Sequence, residues 1–190
     1  MRATDALIAG KEAIIWGYGD AGRSCAFAMR ASGSRVAVSE NDLERAIEAE
    51  MEEFYGLKGF DRYLATADIF LADTDTRSKG YITADHMAQM KNNAIVANIG
   101  HFDNAIDMAG LETTAGIKKT VIGPYVDRYL VPDLPERKGH GIIILAQGSP
   151  LKLECATGGP AFVMLCSLAY QALAQIDSKT NLNTTKYEKE

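Results

Sequence analysis

Residues Ile14-Ile15-Trp16-Gly17-Tyr18-Gly19-Asp20-Ala21-Gly22 decide the fold of this chain. A short apolar run predicts a β-strand, a glycine-rich turn follows it, and a helical pattern begins at Asp20. This strand–turn–helix context is what the G-x-G-x-x-G dinucleotide fingerprint requires. Gly17 allows the tight turn, Gly19 lets a pyrophosphate approach the backbone, and Gly22 lets the helix pack closely on the sheet. The sequence therefore predicts a dinucleotide-binding site at the positive end of this helix.

An acidic residue after the next predicted strand indicates which dinucleotide is bound. The strand at residues 35–39 leads into Glu40, eighteen residues after Gly22. A carboxylate there accepts hydrogen bonds from the ribose hydroxyls of NAD and repels the 2′-phosphate of NADP. The alternative is that Glu40 only caps the following helix. We predict NAD as the cofactor, with Glu40 and the adjacent Asn41 among the residues that bind it.

Composition and charge restrict the class of protein. The chain has 190 residues, of which 47% are hydrophobic and 24% charged, as in an ordinary globular domain. The net charge of −5 comes with no basic stretch, which argues against a nucleic-acid partner. Cys25, Cys155 and Cys166 are widely spaced, so we expect buried thiols in a reducing compartment, without a disulfide or a metal site. No signal peptide and no charge-free apolar run of about 18 residues is found, so we expect a cytoplasmic protein without membrane contact.

Strand-like and helix-like segments alternate along the chain, which predicts a Rossmann-type α/β fold with one doubly wound parallel sheet. Apolar runs at residues 94–99 and 141–146 are typical of strands buried on both faces. Residues 4–9 have the pattern of a helix end closed by Gly10. A long apolar helix is predicted from Pro160 to about Ile176. We therefore place an NAD-binding Rossmann domain at residues 1–176 and a polar tail at residues 177–190.

His101 is the main candidate for chemistry. It follows the buried strand at residues 94–99, in a loop at the sheet edge where a nicotinamide is expected. A histidine has the right pKa to move a proton during hydride transfer at neutral pH, and Asp103 could orient it. The alternative is a histidine kept for packing or hydrogen bonding. Asp73 and Asp75 form a second candidate, as paired carboxylates near the cofactor, although such residues more often form turns.

Several longer motifs give the chain a specific resemblance. They are Arg2-Ala3-Thr4-Asp5 with Ile8-Ala9-Gly10-Lys11, the glycine-rich turn, Asn98-Ile99-Gly100-His101-Phe102-Asp103, Val126-Asp127-Arg128-Tyr129 and Pro160-Ala161-Phe162-Val163-Met164. With these motifs the chain resembles the NAD-binding domain of adenosylhomocysteinases, from its first residues to about Ile176. The run at residues 98–103 is much more specific than the glycine turn. The resemblance implies a domain that binds NAD tightly while the substrate's ribose 3′-hydroxyl is oxidised and reduced again.

The resemblance also implies roles for individual residues. Gly19, Asp20 and Gly22 would hold the pyrophosphate and Glu40 the adenosine ribose, while His101 would act as an acid/base group between nicotinamide and substrate. Lys152 falls where the family has an asparagine near the nicotinamide amide, and it could place a cation there. Together with the residue reasoning above, the cofactor-binding set that we predict is Gly17, Gly19, Asp20, Ala21, Gly22, Glu40, Asn41, Thr74, Ile99, Gly100 and Lys152.

The chain also departs from the family that it resembles. Asp75 stands where glycine is usual, an apparent two-residue insertion accompanies it, and the family's Gly-His-Pro turn reads Gly158-Gly159-Pro160. The family's substrate-binding domain and C-terminal tail have no counterpart in these residues, so we do not expect a full hydrolase site from this chain alone.

These observations predict a small NAD-dependent oxidoreductase of adenosylhomocysteinase type. Its substrate would be a small hydroxyl or ketone compound, with nucleoside-like molecules included. Two alternatives stay open: a non-catalytic or regulatory NAD-binding protein, and the NAD-binding part of a split adenosylhomocysteinase that needs a partner chain. Because the helix predicted after Pro160 is apolar almost all round, we also expect a homodimer or a larger homo-oligomer.

Overall fold

The structure is a computed structural model that describes residues 3–73, 82–132, 138–151, 155 and 159–181. The chain divides into two compact units, Met1–Ala156 and Thr157–Glu190. Within its described residues, the first unit contains one eight-stranded sheet and four α-helices. The strands are β1 Glu12–Trp16, β2 Arg35–Ser39, β3 Tyr55–Leu57, β4 Ile69–Ala72, β5 Ala94–Asn98, β6 Lys118–Gly123, β7 Val126–Val131 and β8 His140–Leu145. The helices are α1 Asp20–Ala31, α2 Leu43–Met51, α3 Ala84–Gln89 and α4 Met108–Thr113, with 3-10 turns at Asp61–Tyr63 and Ala146–Gly148.

The sheet has the strand order β3-β2-β1-β4-β5-β8-β7-β6. Strands β1 to β5 and β8 are parallel, so the predicted Rossmann-type α/β fold is confirmed. Strands β6 and β7 form an antiparallel hairpin, and β7 is antiparallel to β8, which differs from the prediction of alternating strands and helices. Only Pro124 and Tyr125 connect β6 to β7, and two residues are too few for the crossover that a parallel pair needs.

Apolar side chains cover both faces of the sheet. Successive residues of a strand point to opposite faces, so Ile14 and Trp16 join one core cluster while Ala13 and Ile15 join the other. Trp16 packs against Phe60 on the first face, with 4.8 Å between the ring centroids. Burial on both faces explains the apolar runs in the central strands, and it holds the carboxyl ends of β1, β4 and β5 in fixed positions at one edge.

The prediction of a helix end at residues 4–9 is wrong. These residues form turns and irregular backbone, and Asp5 has a left-handed φ of 52° that a right-handed helix does not allow. The segment is held instead by the turn that follows α1. The Gly10 N–H donates to the Gly33 carbonyl at 2.8 Å, and the Ser34 hydroxyl donates to the Ile8 carbonyl at 3.0 Å.

The second unit consists, within its described residues, of one helix that follows Pro160. This helix, α5, runs over Ala161–Asn181 and extends five residues past the predicted end at Ile176. Its large apolar side chains are solvent-exposed, with Phe162 at 75% and Leu168 at 56% of their full exposure. Among all described helices, none combines the length and the apolar character that a membrane span needs.

Candidate functional site

The glycine-rich turn after β1 has no room for side chains at two of its positions. Gly17 has a φ of 101°, and a Cβ atom there would lie 1.9 Å from the Asp73 carbonyl oxygen. A Cβ atom on Gly22 would lie 2.3 Å from the Gly17 carbonyl oxygen. The first helical turn of α1 therefore rests directly on the end of β1 and on the residue that follows β4. This close packing fixes the direction in which the amino end of α1 points.

Gly19 is the N-cap residue at the amino end of α1. A glycine has no side chain to cap the helix, and the cap hydrogen bond comes from elsewhere: Asp73 Oδ2 accepts from the Gly22 N–H at 2.6 Å. The N–H groups of Asp20 and Ala21 are also at the unpaired start of the helix. They lie in the position where a dinucleotide phosphate binds in this type of fold.

A cavity of about 180 Å³ lies over this helix end. It brings together the glycine turn, the start of α2, the end of β4 and the loop after β5. Its lining residues are Tyr18, Gly19, Asp20, Ala21, Arg23, Arg45, Glu48, Asp73 and His101. The structure thus places His101 in the same cavity as three of the predicted cofactor-binding residues, Gly19, Asp20 and Ala21, although they are about 80 positions apart in the sequence.

The loop that carries His101 is fixed by the last residue of β5. Asn98 is fully buried, and its Nδ2 donates to the carbonyls of Phe102 and Gly148 at 2.5 and 3.0 Å. Its Oδ1 accepts from the Gly100 N–H at 2.9 Å. His101 therefore sits in a turn whose two ends are held by one side chain. His101 and Asp103 are both exposed, and the role of Asp103 in orienting the imidazole stays a prediction.

Two further predicted cofactor residues, Ile99 and Gly100, continue β5 toward β4. The Ile99 and Gly100 N–H groups donate to the Ala72 carbonyl at 2.8 and 3.2 Å. Gly100 is buried and Ile99 is half-buried, so both are anchored at the end of β4 immediately before His101. Their contact with a cofactor stays a prediction.

Glu40 lies at the end of β2 and faces the backbone of the glycine turn. Its Oε2 accepts from the Tyr18 N–H at 2.6 Å, and its Oε1 accepts from the N–H groups of Asn41 and Asp42 at 2.6 and 3.0 Å. The cap of α2 is a different residue, because Asp42 accepts from the N–H groups of Glu44 and Arg45. Glu40 and Asn41 line a second cavity of about 280 Å³ beside α2 and β3. Glu40 thus links the two cavities through its bond to Tyr18.

Tyr18 fastens the glycine turn to the end of α2. Its hydroxyl donates to the Glu52 carboxylate, which also pairs with the Arg23 guanidinium. Burial, followed by the neighbouring Glu52 carboxylate, raises the pKa of Tyr18 well above its usual value. The hydrogen bond from Tyr18 and then the bond from Arg23 hold the pKa of Glu52 below its usual range. The turn is therefore held from both sides, by Glu40 at its backbone and by Glu52 at its side chain.

Three predicted site residues, Thr74, Asp75 and Lys152, lie outside the described residues, so the predicted Asp73–Asp75 pair is described only at Asp73. Two residues of the site were missed by sequence reasoning. Arg45 and Glu48 were not predicted, yet both line the first cavity. Their spacing of three residues on the helix that follows Glu40 was a usable signal, because it puts both side chains on one face of α2.

Comparison of the sequence with known proteins identifies a matching family model and relatives of high sequence identity. A family model described as "S-adenosyl-L-homocysteine hydrolase, NAD binding domain" matches residues 1–158. Adenosylhomocysteinases from Solanum lycopersicum and Triticum aestivum are each 49% identical to this chain over 189 residues. The matches cover 100% of this chain and 38% of each relative, so the chain spans well under half the length of these proteins.

Solved structures show the same fold at lower identity. The A chain of dipicolinate synthase from Bacillus subtilis aligns with a TM-score of 0.51 at 15% identity, over 58% of this chain and 37% of that one. A putative D-3-phosphoglycerate dehydrogenase from Ralstonia solanacearum aligns with a TM-score of 0.50 at 22% identity, over 57% and 32%. The family match rests on sequence, and it agrees with the resemblance seen in the motifs. The chain belongs to the family of NAD-binding domains of S-adenosyl-L-homocysteine hydrolases, which confirms NAD as its cofactor.

Proposed function

We propose that the chain is a small NAD-dependent oxidoreductase of adenosylhomocysteinase type that acts on a hydroxyl or ketone compound. One observation carries the proposal: the glycine turn and His101 line the same cavity. The N–H groups of Asp20 and Ala21 would hold the phosphates, and Glu40 and Asn41 the adenosine side in the adjoining cavity. Bound NAD would accept the hydride from the substrate carbon. His101 would take the hydroxyl proton at the same time, acting as a general base.

The substrate class follows from the proposed roles of NAD as hydride acceptor and His101 as general base. Loss of a hydride from a carbon and of a proton from the hydroxyl on that carbon turns an alcohol into a ketone or aldehyde, and the resemblance to adenosylhomocysteinase favours nucleoside-like hydroxyls. The test is a screen of alcohols and nucleosides with the purified chain and NAD, followed at the NADH absorbance band. Appearance of NADH with any of them supports the proposal. If NAD binds and no substrate yields NADH, the result favours the alternative of a non-catalytic NAD-binding protein.

Cofactor choice provides a prediction for Glu40. We expect NADP to bind at least about tenfold more weakly than NAD, because its 2′-phosphate would meet a carboxylate held in place by three N–H groups. Titration calorimetry with the two cofactors measures the ratio. Glu40→Gln keeps the shape of the side chain, and it should bring the two affinities closer together. Equal affinities in the unaltered chain would contradict the role of Glu40.

A second candidate function rests on the coverage of the curated relatives. Because the chain matches 38% of each adenosylhomocysteinase, it could serve as the NAD-binding part of a split hydrolase. This candidate predicts homocysteine release from S-adenosylhomocysteine only when a chain carrying the substrate-binding part is added. Release by the chain alone, above a protein-free control, would contradict both the split arrangement and our expectation that this chain cannot build a hydrolase site.

The exposed apolar helix supports the proposal that the chain self-associates. Helix α5 exposes Phe162, Leu165, Leu168, Leu173 and Ile176, each between 60% and 75% except Leu168 at 56%. An apolar surface of this kind is stabilised when a second copy covers it. We expect light scattering at micromolar concentration to report a dimer or larger. Leu168→Glu should shift the mass toward one chain, whereas Gln171→Glu on the same helix adds the same charge at a polar position and should not.

A further inference from the structure

Asp73 occupies an unusual place in the cofactor site. It follows β4, is 9% exposed, and directs its carboxylate across to the amino end of α1. The Oδ2 atom that accepts from Gly22 would lie 3.3 Å from a Cβ atom placed on Gly19. Gly19 is the residue whose missing side chain leaves space for a pyrophosphate. A carboxylate of the protein itself therefore stands at the entrance to the phosphate position.

The charge of Asp73 acts on its surroundings. Burial, and after it the nearby Asp73 carboxylate, raises the pKa of the Cys25 thiol on α1 to about 11. Buried charges are little screened by solvent, so the Asp73 carboxylate repels a second anion brought to the same helix end and offsets part of the attraction from Arg23 and Arg45, which line the same cavity. The other acidic residues of the cavity, Asp20 and Glu48, are exposed, and their charges are screened more strongly.

We infer that Asp73 is an internal anion at the phosphate position and that it weakens the binding of NAD enough for the cofactor to exchange during turnover. The inference rests on the proposed placement of the pyrophosphate at the start of α1. Asp73 satisfies the Gly22 N–H, as an N-cap side chain does. A pyrophosphate bound at the amino end of α1 would therefore lie close to the negative charge of Asp73. The cofactor would then behave as a dissociable co-substrate, in contrast to the tight binding that the family resemblance implies.

Neutral replacement of Asp73 separates the two roles. Asp73→Asn keeps an oxygen that can accept from Gly22, removes the charge, and offers an amide N–H to the phosphate. We expect this variant to bind NAD at least about tenfold more tightly than the unaltered chain. Most of the increase in affinity should come from a lower rate constant for NAD dissociation. Asp73→Ala should also bind more tightly but melt at a lower temperature, because the cap hydrogen bond is lost.

Glu44→Gln is the matched control, since Glu44 is exposed on α2 and lines neither of the two cavities. Its affinity for NAD should stay within about threefold of the unaltered chain, because solvent screens that charge. Titration calorimetry gives the dissociation constants, and rapid filtration of radiolabelled NAD gives the release rates. An unchanged or weaker affinity in Asp73→Asn, or an equal gain in Glu44→Gln, would overturn the role of Asp73. Absence of NAD binding in all of these proteins would instead contradict the cofactor site itself, and the inference with it.

Discussion

Gly19→Val abolishes NAD binding and leaves the chain folded: this is the result that the glycine turn leads us to expect. Gly19 does not have a left-handed φ, and a Cβ atom there would meet only side-chain atoms, Asp73 Oδ2 at 3.3 Å and Arg45 Nη1 at 3.6 Å. The isopropyl group would fill the space above the α1 N–H groups. Loss of two charge-assisted hydrogen bonds to phosphate corresponds to an affinity decrease of about 100-fold or more.

The matched control for this prediction is Gly123→Val. Gly123 ends β6, and a Cβ atom placed on it meets nothing within 4 Å. Calorimetric titration with NAD should therefore give the unaltered affinity for Gly123→Val and no measurable binding for Gly19→Val. Circular dichroism and melting temperature establish that both variants are folded. NAD binding by a folded Gly19→Val would place the pyrophosphate away from the start of α1.

His101→Ala should reduce turnover while NAD affinity stays within a few-fold. The imidazole lines the cavity in a turn fixed by Asn98, away from the α1 N–H groups that are expected to bind phosphate, so we expect its removal to leave the phosphate contacts in place. A positioned acid/base group contributes about 10²–10⁴-fold to the rate. With a substrate found in the screen, NADH formation should fall by about two orders of magnitude or more.

His86→Ala is the comparison for this measurement. His86 caps α3, pairs with Asp61 and packs on Phe60, and it lines neither cavity described above. Its replacement should lower the melting temperature and leave turnover unchanged at temperatures where the variant is folded. Turnover by His101→Ala at the unaltered rate would show that another group moves the proton, and Asp73 would be the next residue to test.

The sequence predicted the centre of the sheet well because each central strand carries a local signal. Strand β2 has the predicted limits of residues 35–39. Strands β5 and β8 differ by one residue from the apolar runs predicted at residues 94–99 and 141–146, because a continuous apolar run between polar turns marks a strand clearly. The β6–β7 hairpin was not predicted as an antiparallel pair. Most of β6 is exposed, so it has no alternation of buried and exposed residues that would indicate a strand. Its antiparallel pairing with β7 follows from the two-residue connection between them.

The candidate site was predictable only where its residues carry a motif. The spacing of Gly17, Gly19 and Gly22 identifies them as a dinucleotide-binding motif. Glu40 is identified by its distance from that motif along the sequence. The bond between Asp73 and Gly22 joins residues 51 positions apart, and nothing local to either residue indicates it. The Tyr18–Glu52 contact is of the same kind. Sequence reasoning therefore identified the glycine turn, Glu40, Asp73 and His101 as site residues. It missed the long-range contacts that hold the turn, such as Asp73 with Gly22 and Glu52 with Tyr18.

Trp16, the one tryptophan of the chain, has a consequence for how the site can be observed. It is 8% exposed, packs on Phe60, and directly precedes the glycine turn. Its indole therefore emits from an apolar environment beside the cofactor position. The emission of a buried indole overlaps the absorption of reduced nicotinamide, so we expect excitation energy to pass from Trp16 to bound NADH and not to bound NAD. Fluorescence of Trp16 would then distinguish the two forms of the cofactor without a label.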